Sequence, residues 1–236
     1  MNPPIILSIL IPVYNESKHI VALLELIRQL PEISSYEIII VNDGSTDNTH
    51  NAVTEWLNIN KIQNFYYINS EFNQGKTEAI KVGSAQAQGT YCIIQDGDLE
   101  YDVNDIPRLV DYITKEKLDS VIGYRTNKFQ NISLLDTTLK LGVVLLTILF
   151  NSLYRTSFKD LSGGYKIFRT EAFKAIKLEE TGFTFCYEVV IKFLKHNFTI
   201  GQLDISYSAR DKSAGKKIGL IDGFYCFCTV IKHFRF

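Results

Sequence analysis

The sequence predicts an α/β fold with a mainly parallel central sheet flanked by helices. In the first half of the 236-residue chain, short runs rich in β-branched residues alternate with segments of helical periodicity. The runs at 5–13 and 36–41 are apolar on both faces, which is typical of strands in a sheet covered on both sides. Polar turn residues directly follow several of these runs, as expected where strands end at one edge of such a sheet.

The elements follow in order from hydrophobic periodicity and turn signals. Ser17 can cap a first helix, whose apolar face carries Ile20, Leu23, Leu24 and Ile27. The predicted strands are 5–13, 36–41, 65–68, 91–94, 121–123 and 200–207, and the further helices are 52–57, 76–87, 103–115, 134–154, 187–196 and 220–233. Residues 159–166, which contain two adjacent glycines, are predicted to form a turn. No repeat or linker interrupts the chain, so we predict a single domain over 1–236.

Composition and charge argue against several classes of function. The net charge of −1 argues against a nucleic-acid partner, because phosphate backbones select a basic surface. The longest uncharged apolar run, 141–151, is about half of the roughly 20 residues that a bilayer-spanning helix needs. The N-terminus lacks the basic start of a signal peptide, so a cytoplasmic location is expected. The four cysteines have no zinc-site spacing and are expected to be reduced thiols.

Asp96 and Asp98 follow a predicted buried strand and are separated by a glycine. Two carboxylates so placed can face one cation if the backbone turns there, and Glu100 can supply a third oxygen directly or through water. Hard oxygen ligands suit Mg²⁺ or Mn²⁺. The alternative is a solvated acidic turn, since Asp and Gly are common turn residues. The position at the carboxyl end of a strand favours metal binding.

Two other turns at strand ends are candidate ligand contacts. Asp43, in Asn-Asp-Gly-Ser, could accept hydrogen bonds from a base or a ribose, or could belong to an ordinary turn that precedes a helix cap. The segment 73–77 contains Gly-Lys-Thr, but Ser70 stands where a phosphate-binding Walker A loop requires its first glycine. An NTPase is therefore disfavoured.

Three motifs together carry a family resemblance. They are Ile-Pro-Val-Tyr-Asn-Glu at 11–16, Val-Asn-Asp-Gly-Ser-Thr-Asp-Asn-Thr at 41–49 and Gln-Asp-Gly-Asp-Leu-Glu at 95–100. In this order and at strand ends, they resemble the family 2 glycosyltransferases, which have the GT-A fold of nucleotide-diphospho-sugar transferases. The chain is most similar to the dolichol- and polyprenol-phosphate sugar synthases, on the segments 123–125, 159–166 and 210–217.

The resemblance implies a division of the chain and a set of site residues. About 5–123 would bind the nucleotide sugar, about 124–220 would bind the acceptor, and 220–236 would form an amphipathic C-terminal helix. The metal, Mg²⁺ or Mn²⁺, would be held by Asp96, Asp98 and Glu100, and would offset charge on the leaving diphosphate. Donor contacts would come from Pro12, Tyr14, Glu16, Asp43, Gly75, Lys76 and Asp96, and an acceptor phosphate would be bound by Arg125, Lys159, Ser162, Arg210, Lys216 and Lys217.

The nature of the acceptor decides which groups are catalytic. A polyprenyl phosphate is already ionised at neutral pH, so it needs cations such as Arg125 and no general base. A saccharide hydroxyl must lose a proton, and Glu188 is the best candidate base for that case. The catalytic candidates are therefore Asp98, Arg125 and Glu188. A non-catalytic nucleotide-sugar-binding module is a third hypothesis, disfavoured by the intact Asp96 and Asp98 pair.

The segment 141–150 and the tail also suggest a membrane surface. The segment is apolar all round, and the tail interleaves aromatic residues with basic ones, a mixture suited to a bilayer interface. A buried helix and a packed C-terminal helix would explain the same pattern. We expect peripheral association with the cytoplasmic face of a membrane.

Overall fold

The computed structural model describes residues 4–126, 134–208 and 220–234. The strands are β1 (Leu7–Val13), β2 (Tyr36–Asn42), β3 (Phe65–Asn69), β4 (Tyr91–Ile94), β5 (Ser120–Arg125), β6 (Lys166–Arg169) and β7 (Ile200–Ile205). The α-helices are α1 (Ile20–Arg28), α2 (Thr49–Asn60), α3 (Lys76–Gln86), α4 (Asp105–Lys115), α5 (Leu134–Tyr154), α6 (Thr170–Ala175), α7 (Phe185–Lys195) and α8 (Leu220–Phe234).

The seven strands form one mixed sheet in the order β3-β2-β1-β4-β6-β5-β7. Strand β6 runs antiparallel to both of its neighbours, β4 and β5, whereas the other pairs are parallel. Strands β1, β2, β4 and β5 therefore end at the same edge. In sheets of this kind ligands bind beyond the carboxyl ends of the strands.

Alternate residues of the central strands point into two separate cores. Ile9 and Ile11 of β1 pack with α1, α2 and α4 on one face. Leu10 of β1 and Ile39 of β2 pack with α3 and the later helices α5 to α8 on the other. Both faces are covered, which explains why the central strands are apolar along their whole length.

The predicted α/β fold, its mainly parallel sheet and the helix at the C-terminus are confirmed, with three local differences. Strand β6 and helix α6 follow the Gly163-Gly164 turn and were not predicted. Helix α1 begins at Ile20 after His19, so the prediction that Ser17 caps it is wrong. The backbone N–H of Ser17 instead donates to Asp47 Oδ2 at 3.2 Å.

The last helix is amphipathic in the described structure. On α8, Cys226 and Val230 are buried against the core that contains α5 and α7. The opposite face exposes four apolar or aromatic residues, Ile221, Phe224, Tyr225 and Phe227. No described helix is long and apolar enough to cross a membrane.

Candidate active site

A cavity of about 320 Å³ opens at the carboxyl edge of the sheet. Its lining combines the ends of β1, β2, β4 and β5 with the turns before β6 and α7. Predicted site residues contribute Pro12, Tyr14, Glu16, Asp43, Lys76, Asp96, Asp98, Glu100, Arg125 and Ser162, and other lining residues include Asn73, Tyr101, Gly164, Gly182, Phe183, Cys186 and Tyr207.

The loops after β1 and β2 are joined through Asn15. Its side-chain oxygen accepts the backbone N–H groups of Thr46 at 2.8 Å and Asp47 at 3.3 Å. The backbone of Asn15 is left-handed, with φ 57°, a conformation that asparagine tolerates better than most residues. This joint holds Tyr14 and Glu16 at the cavity wall.

Asp43 is almost fully buried and organises the next loop. Its two carboxylate oxygens accept the backbone N–H groups of Gln74 and Gly75, each at 2.8 Å. Gly75 has φ +94°, outside the range of ordinary L-residues, and directly precedes α3. The carboxylate of Asp43 thus positions the start of α3, and with it Lys76. A base-reading role for Asp43 stays a prediction.

Lys76 places an ammonium group beside the first carboxylate of the Asp-Gly-Asp motif. Its Nζ pairs with Asp96 Oδ1. Burial alone would lower the pKa of Lys76, but the Asp96 carboxylate outweighs this effect and the pKa is raised. Lys76 therefore remains a cation inside the cavity, at a position suited to a phosphate group.

The chain turns sharply at Leu99, which has φ 62°. A bulky residue in the left-handed region costs on the order of 1–3 kcal/mol and persists only where surrounding contacts impose it. The turn directs both Asp98 and Glu100 to the cavity, and the N–H of Glu100 donates to Asp98 Oδ1 at 3.2 Å.

The carboxylates of Asp96, Asp98 and Glu100 are hard oxygen donors on one cavity and fit Mg²⁺ or Mn²⁺. The ligand oxygens of these three carboxylates are not all within 4.8 Å of one another. Among the described residues, that degree of clustering is found at Glu179, Glu188 and His233. A metal ion would compete with the Lys76 ammonium for Asp96.

Arg125 and Ser162 line the part of the cavity that we call its cationic side. Its Nε donates to Asp160 Oδ2 at 2.7 Å, and its Nη2 donates to Asp160 Oδ1 at 3.2 Å and to Ser162 Oγ at 2.6 Å. The Arg125 side chain is 12% exposed and that of Asp160 is 3% exposed. Burial acts to lower the pKa of Arg125, but Tyr101 and Asp160 outweigh it and raise the pKa, so the guanidinium stays charged.

The loop that carries Ser162 is held from both sides. The fully buried ammonium of Lys166 donates to the carbonyl oxygens of Leu161, at 3.0 Å, and Gly163. The N–H of Gly164 donates to the hydroxyl of Tyr101 at 2.7 Å. A Cβ atom at Gly164 would lie 2.8 Å from Asp96 Oδ2, so this loop approaches the Asp-Gly-Asp motif closely and a larger residue there would displace the Asp96 carboxylate.

Tyr207 contacts both Glu100 of the acidic motif and Arg125 on the cationic side of the cavity. Its hydroxyl donates to Glu100 Oε2 at 2.8 Å, and its ring lies 4.9 Å from the guanidinium carbon of Arg125. Burial and the neighbouring Glu100 raise the pKa of Tyr207, so the hydroxyl keeps its proton at neutral pH.

Several predicted site residues are not brought into the cavity. Lys159 is exposed and lies over the Tyr124 ring, with its Nζ 4.2 Å from the ring centroid. Glu188 is fully buried, and its oxygens accept the backbone N–H groups of Glu179 at 2.7 Å and Glu180 at 2.9 Å. Glu188 does not line the cavity, and its role as a base stays a prediction. Arg210, Lys216 and Lys217 lie outside the described residues.

Sequence reasoning missed Asp160, Lys166, Tyr101 and Tyr207. Asp160 and Lys166 belong to the 159–166 motif, and their roles could have been sought there. Tyr101 directly follows the Asp-Gly-Asp-Leu-Glu run, but nothing local distinguishes it from a core tyrosine. Tyr207 ends a predicted strand and carries no motif of its own.

The fold and the site define a class of protein: a GT-A transferase, with an acidic motif and an arginine in one cavity at the carboxyl edge of the sheet. The family model described as glycosyl transferase family 2 matches residues 8–177. The chain belongs to this family and is a glycosyltransferase, so both the predicted family and the predicted enzyme class are confirmed.

Two similar proteins have names that refer to a lipid phosphate. The dolichyl-phosphate beta-glucosyltransferase of Saccharomyces cerevisiae is 31% identical over 233 residues, covering 89% of this chain and 69% of the yeast protein. The dodecaprenyl-phosphate galacturonate synthase of Rhizobium johnstonii is 27% identical over 214 residues, covering 89% of this chain and 61% of that protein.

Among solved structures, glucosyl-3-phosphoglycerate synthase from Mycobacterium tuberculosis, in complex with Mn²⁺, UDP and phosphoglyceric acid, matches with a TM-score of 0.71. The identity is 16%, with 98% of this chain and 78% of the other covered, so the match concerns the fold alone.

Proposed function

We propose that this glycosyltransferase is an inverting, metal-dependent enzyme that moves a hexose from a GDP-mannose- or UDP-glucose-type donor to polyprenyl or dolichyl phosphate. The observation that carries the proposal is the charge arrangement of one cavity. Asp96 and Asp98 line the same cavity as Arg125 and Ser162. A cavity that combines carboxylates with a guanidinium suits both a metal-bound diphosphate and an anionic acceptor.

On the donor side, Asp96, Asp98 and Glu100 would hold the metal, which when bound supplies Lewis-acid stabilisation of the leaving diphosphate. Lys76 adds a fixed positive charge next to Asp96. Pro12, Tyr14 and Glu16 line the same cavity and would border the nucleotide. Asn73 completes this wall, and Asp43 holds the adjacent Gln74 and Gly75, which do not line the cavity.

On the acceptor side, Arg125 would orient a phosphate monoester whose oxygen attacks the anomeric carbon of the sugar. The new bond joins that oxygen to the anomeric carbon, and the bond from this carbon to the nucleotide diphosphate breaks. No proton leaves the attacking oxygen, because a phosphate monoester is already substantially ionised at neutral pH. Lys159, Arg210, Lys216 and Lys217 are proposed as further cations for the same phosphate.

A saccharide hydroxyl as acceptor is the second candidate. It would need a positioned base, and Glu188 is held away from the cavity by two backbone N–H groups. The dolichyl- and dodecaprenyl-phosphate relatives also support the lipid acceptor.

A product assay tests the proposal. The full chain is incubated with Mn²⁺ and a panel of nucleotide sugars, with and without polyprenyl phosphate, and products are followed by mass. We expect a glycosylated polyprenyl phosphate from one donor, and its loss in Asp98→Asn. Transfer to an oligosaccharide hydroxyl in the same panel, with none to the lipid, would contradict the proposed acceptor.

We also propose peripheral membrane association at the cytoplasmic face, where a polyprenyl phosphate would be presented. Helices α5 and α8 pack together. Both expose apolar stripes, which on α5 comprise Leu141, Leu145 and Ile148 and on α8 comprise Ile221, Phe224, Tyr225 and Phe227. Paired amphipathic faces of this kind suit a bilayer interface.

Flotation with anionic liposomes tests this association. The wild-type chain should float, and Ile221→Glu with Phe224→Glu should release it. Ile59→Glu on α2 is the matched control, because Ile59 is 71% exposed on a helix in the other core. A wild-type protein that stays at the bottom of the gradient would refute the association.

A further inference from the structure

Tyr207 contacts two oppositely charged groups of the cavity at once. Its hydroxyl donates to the Glu100 carboxylate at 2.8 Å, and the face of its ring lies 4.9 Å from the Arg125 guanidinium carbon. A phenol suits both partners, because its hydroxyl is a donor for an anion and its ring face attracts a cation.

The backbone around Tyr207 is joined to the same segment that carries the acidic motif. Tyr207 and Tyr101 form an isolated antiparallel bridge, and the N–H of Ser208 donates to the carbonyl oxygen of Glu100 at 2.9 Å. The rings of Tyr207 and Tyr101 also pack at 5.3 Å between centroids. The position of the Tyr207 side chain is therefore set relative to Glu100 by main-chain contacts.

Glu100 and Arg125 line one cavity and lie within reach of a single tyrosine side chain. Arg125 keeps its own pair with Asp160, so Tyr207 adds a second contact to a guanidinium that is already held. On Glu100 the phenol fixes one carboxylate oxygen by a hydrogen bond. One side chain therefore contacts both an acidic and a basic group of the cavity.

We propose that Tyr207 is a positioning residue that orients the Glu100 carboxylate for the metal-diphosphate side and the Arg125 guanidinium for the acceptor side. The inference deepens, and rests on, the proposed metal-dependent transfer to a phosphate acceptor.

Two substitutions separate the functions of the side chain. Tyr207→Phe removes the hydroxyl, with its bond to Glu100 and its contact with Arg125, and keeps the ring over Arg125. Tyr207→Leu removes the ring contact as well. Tyr66→Phe is the matched control, since Tyr66 is 45% exposed on β3, at the far edge of the sheet.

Binding and kinetics are measured on the full chain. Binding of Mn²⁺ in the presence of UDP, measured by electron paramagnetic resonance, should weaken about tenfold in Tyr207→Phe, as expected for the loss of a hydrogen bond to a charged group. The KM for polyprenyl phosphate should change little in Tyr207→Phe and rise about three- to tenfold in Tyr207→Leu. Thermal unfolding of each variant separates these effects from misfolding.

The outcomes distinguish the inference from the function on which it rests. A wild-type chain that binds Mn²⁺ with UDP, with Tyr207→Phe binding equally well, overturns the role of Tyr207 and leaves the proposed function standing. Identical acceptor KM values for the Phe and Leu variants overturn the acceptor half of the inference. A wild-type chain that transfers nothing to the lipid refutes the proposed function, and the Mn²⁺ comparison still decides whether Tyr207 positions Glu100.

Discussion

Asp160→Asn tests the energetic role of the ion pair on which the cationic side of the cavity is built. The substitution keeps the size of the side chain and removes its charge. Arg125 donates to both carboxylate oxygens, at 2.7 and 3.2 Å, whereas the amide of Asn offers one acceptor oxygen and an NH2 donor, so one of the two bonds is lost and the other goes to a neutral oxygen. A bond to a charged partner contributes about 1.5–3 kcal/mol and a neutral one about 0.5–1.5 kcal/mol, so the loss is at least about 2–3 kcal/mol.

Because this ion pair is buried, little water is present to replace the hydrogen bonds that the substitution removes. Arg125 is 12% exposed and Asp160 is 3% exposed, and breaking a buried pair by removing one charge costs about 3–5 kcal/mol as an upper range. For a chain of this size, about 2–3 kcal/mol corresponds to a fall in Tm of roughly 5–10 °C. Urea unfolding followed by circular dichroism gives the free energy directly, and the KM for the acceptor should rise in the same variant.

Asp204→Asn is the matched control, because the Arg108–Asp204 pair spans 3.2 Å with both side chains 49% exposed. Surface pairs contribute about 0–1 kcal/mol, so this variant should unfold nearly as the wild type does. If Asp160→Asn loses no more free energy of unfolding than Asp204→Asn, the reasoning from burial is refuted. A cycle with Arg125→Met should also show strong non-additivity.

Three further perturbations follow from close contacts and charge. Gly164→Ala should lower metal-dependent turnover at least about tenfold with a small change in Tm. The reason is that the new Cβ would lie 2.8 Å from Asp96 Oδ2 and displace that carboxylate. Steady-state kinetics measures the turnover, and an unchanged value would contradict this. Gly44→Ala should destabilise the chain by at least about 2 kcal/mol, since Gly44 has φ +64° and a Cβ there would lie 2.4 Å from the Phe72 carbonyl carbon; urea unfolding measures it. Burial acts to raise the pKa of Glu180, but the hydrogen bonds from Lys232 and His233 outweigh it and lower the pKa from 4.5. The stability that Glu180 contributes is therefore present above its unfolded pKa and is lost as pH falls through the lower folded value. In Glu180→Gln, Tm should consequently fall less steeply as the pH is lowered. Profiles of Tm against pH that run parallel for the variant and the wild type would argue against this.

The sequence predicted most of the first half of the fold correctly because its signals are local. Continuous apolar runs mark strands covered on both faces, and the bounds of β4 agree with the predicted 91–94. The predicted bounds of α5, 134–154, also agree. Motif chemistry then indicated which strand ends carry function, since Asp96 and Asp98 follow β4 directly.

Local signals failed where an element is short or where a partner decides its structure. Strand β6 has four residues and follows two glycines, so 159–166 was predicted to be a turn alone. Ser17 has the chemistry of a helix cap, yet its N–H is taken by Asp47 from a different loop. The residue type of Glu188 could not reveal its surroundings, a buried site in which its carboxylate accepts two backbone N–H groups.

The sequence by itself determined the class of fold, the edge of the sheet at which the candidate site lies, and the acidic motif, because periodicity and short motifs are properties of neighbouring residues. Only the tertiary structure decided how the two sides of the cavity meet. Gly164 reaches Tyr101 across 63 residues, and Tyr207 reaches Glu100 across 107. Contacts at such separations depend on how β6 and β7 pack into the sheet, and no local pattern in the chain encodes them.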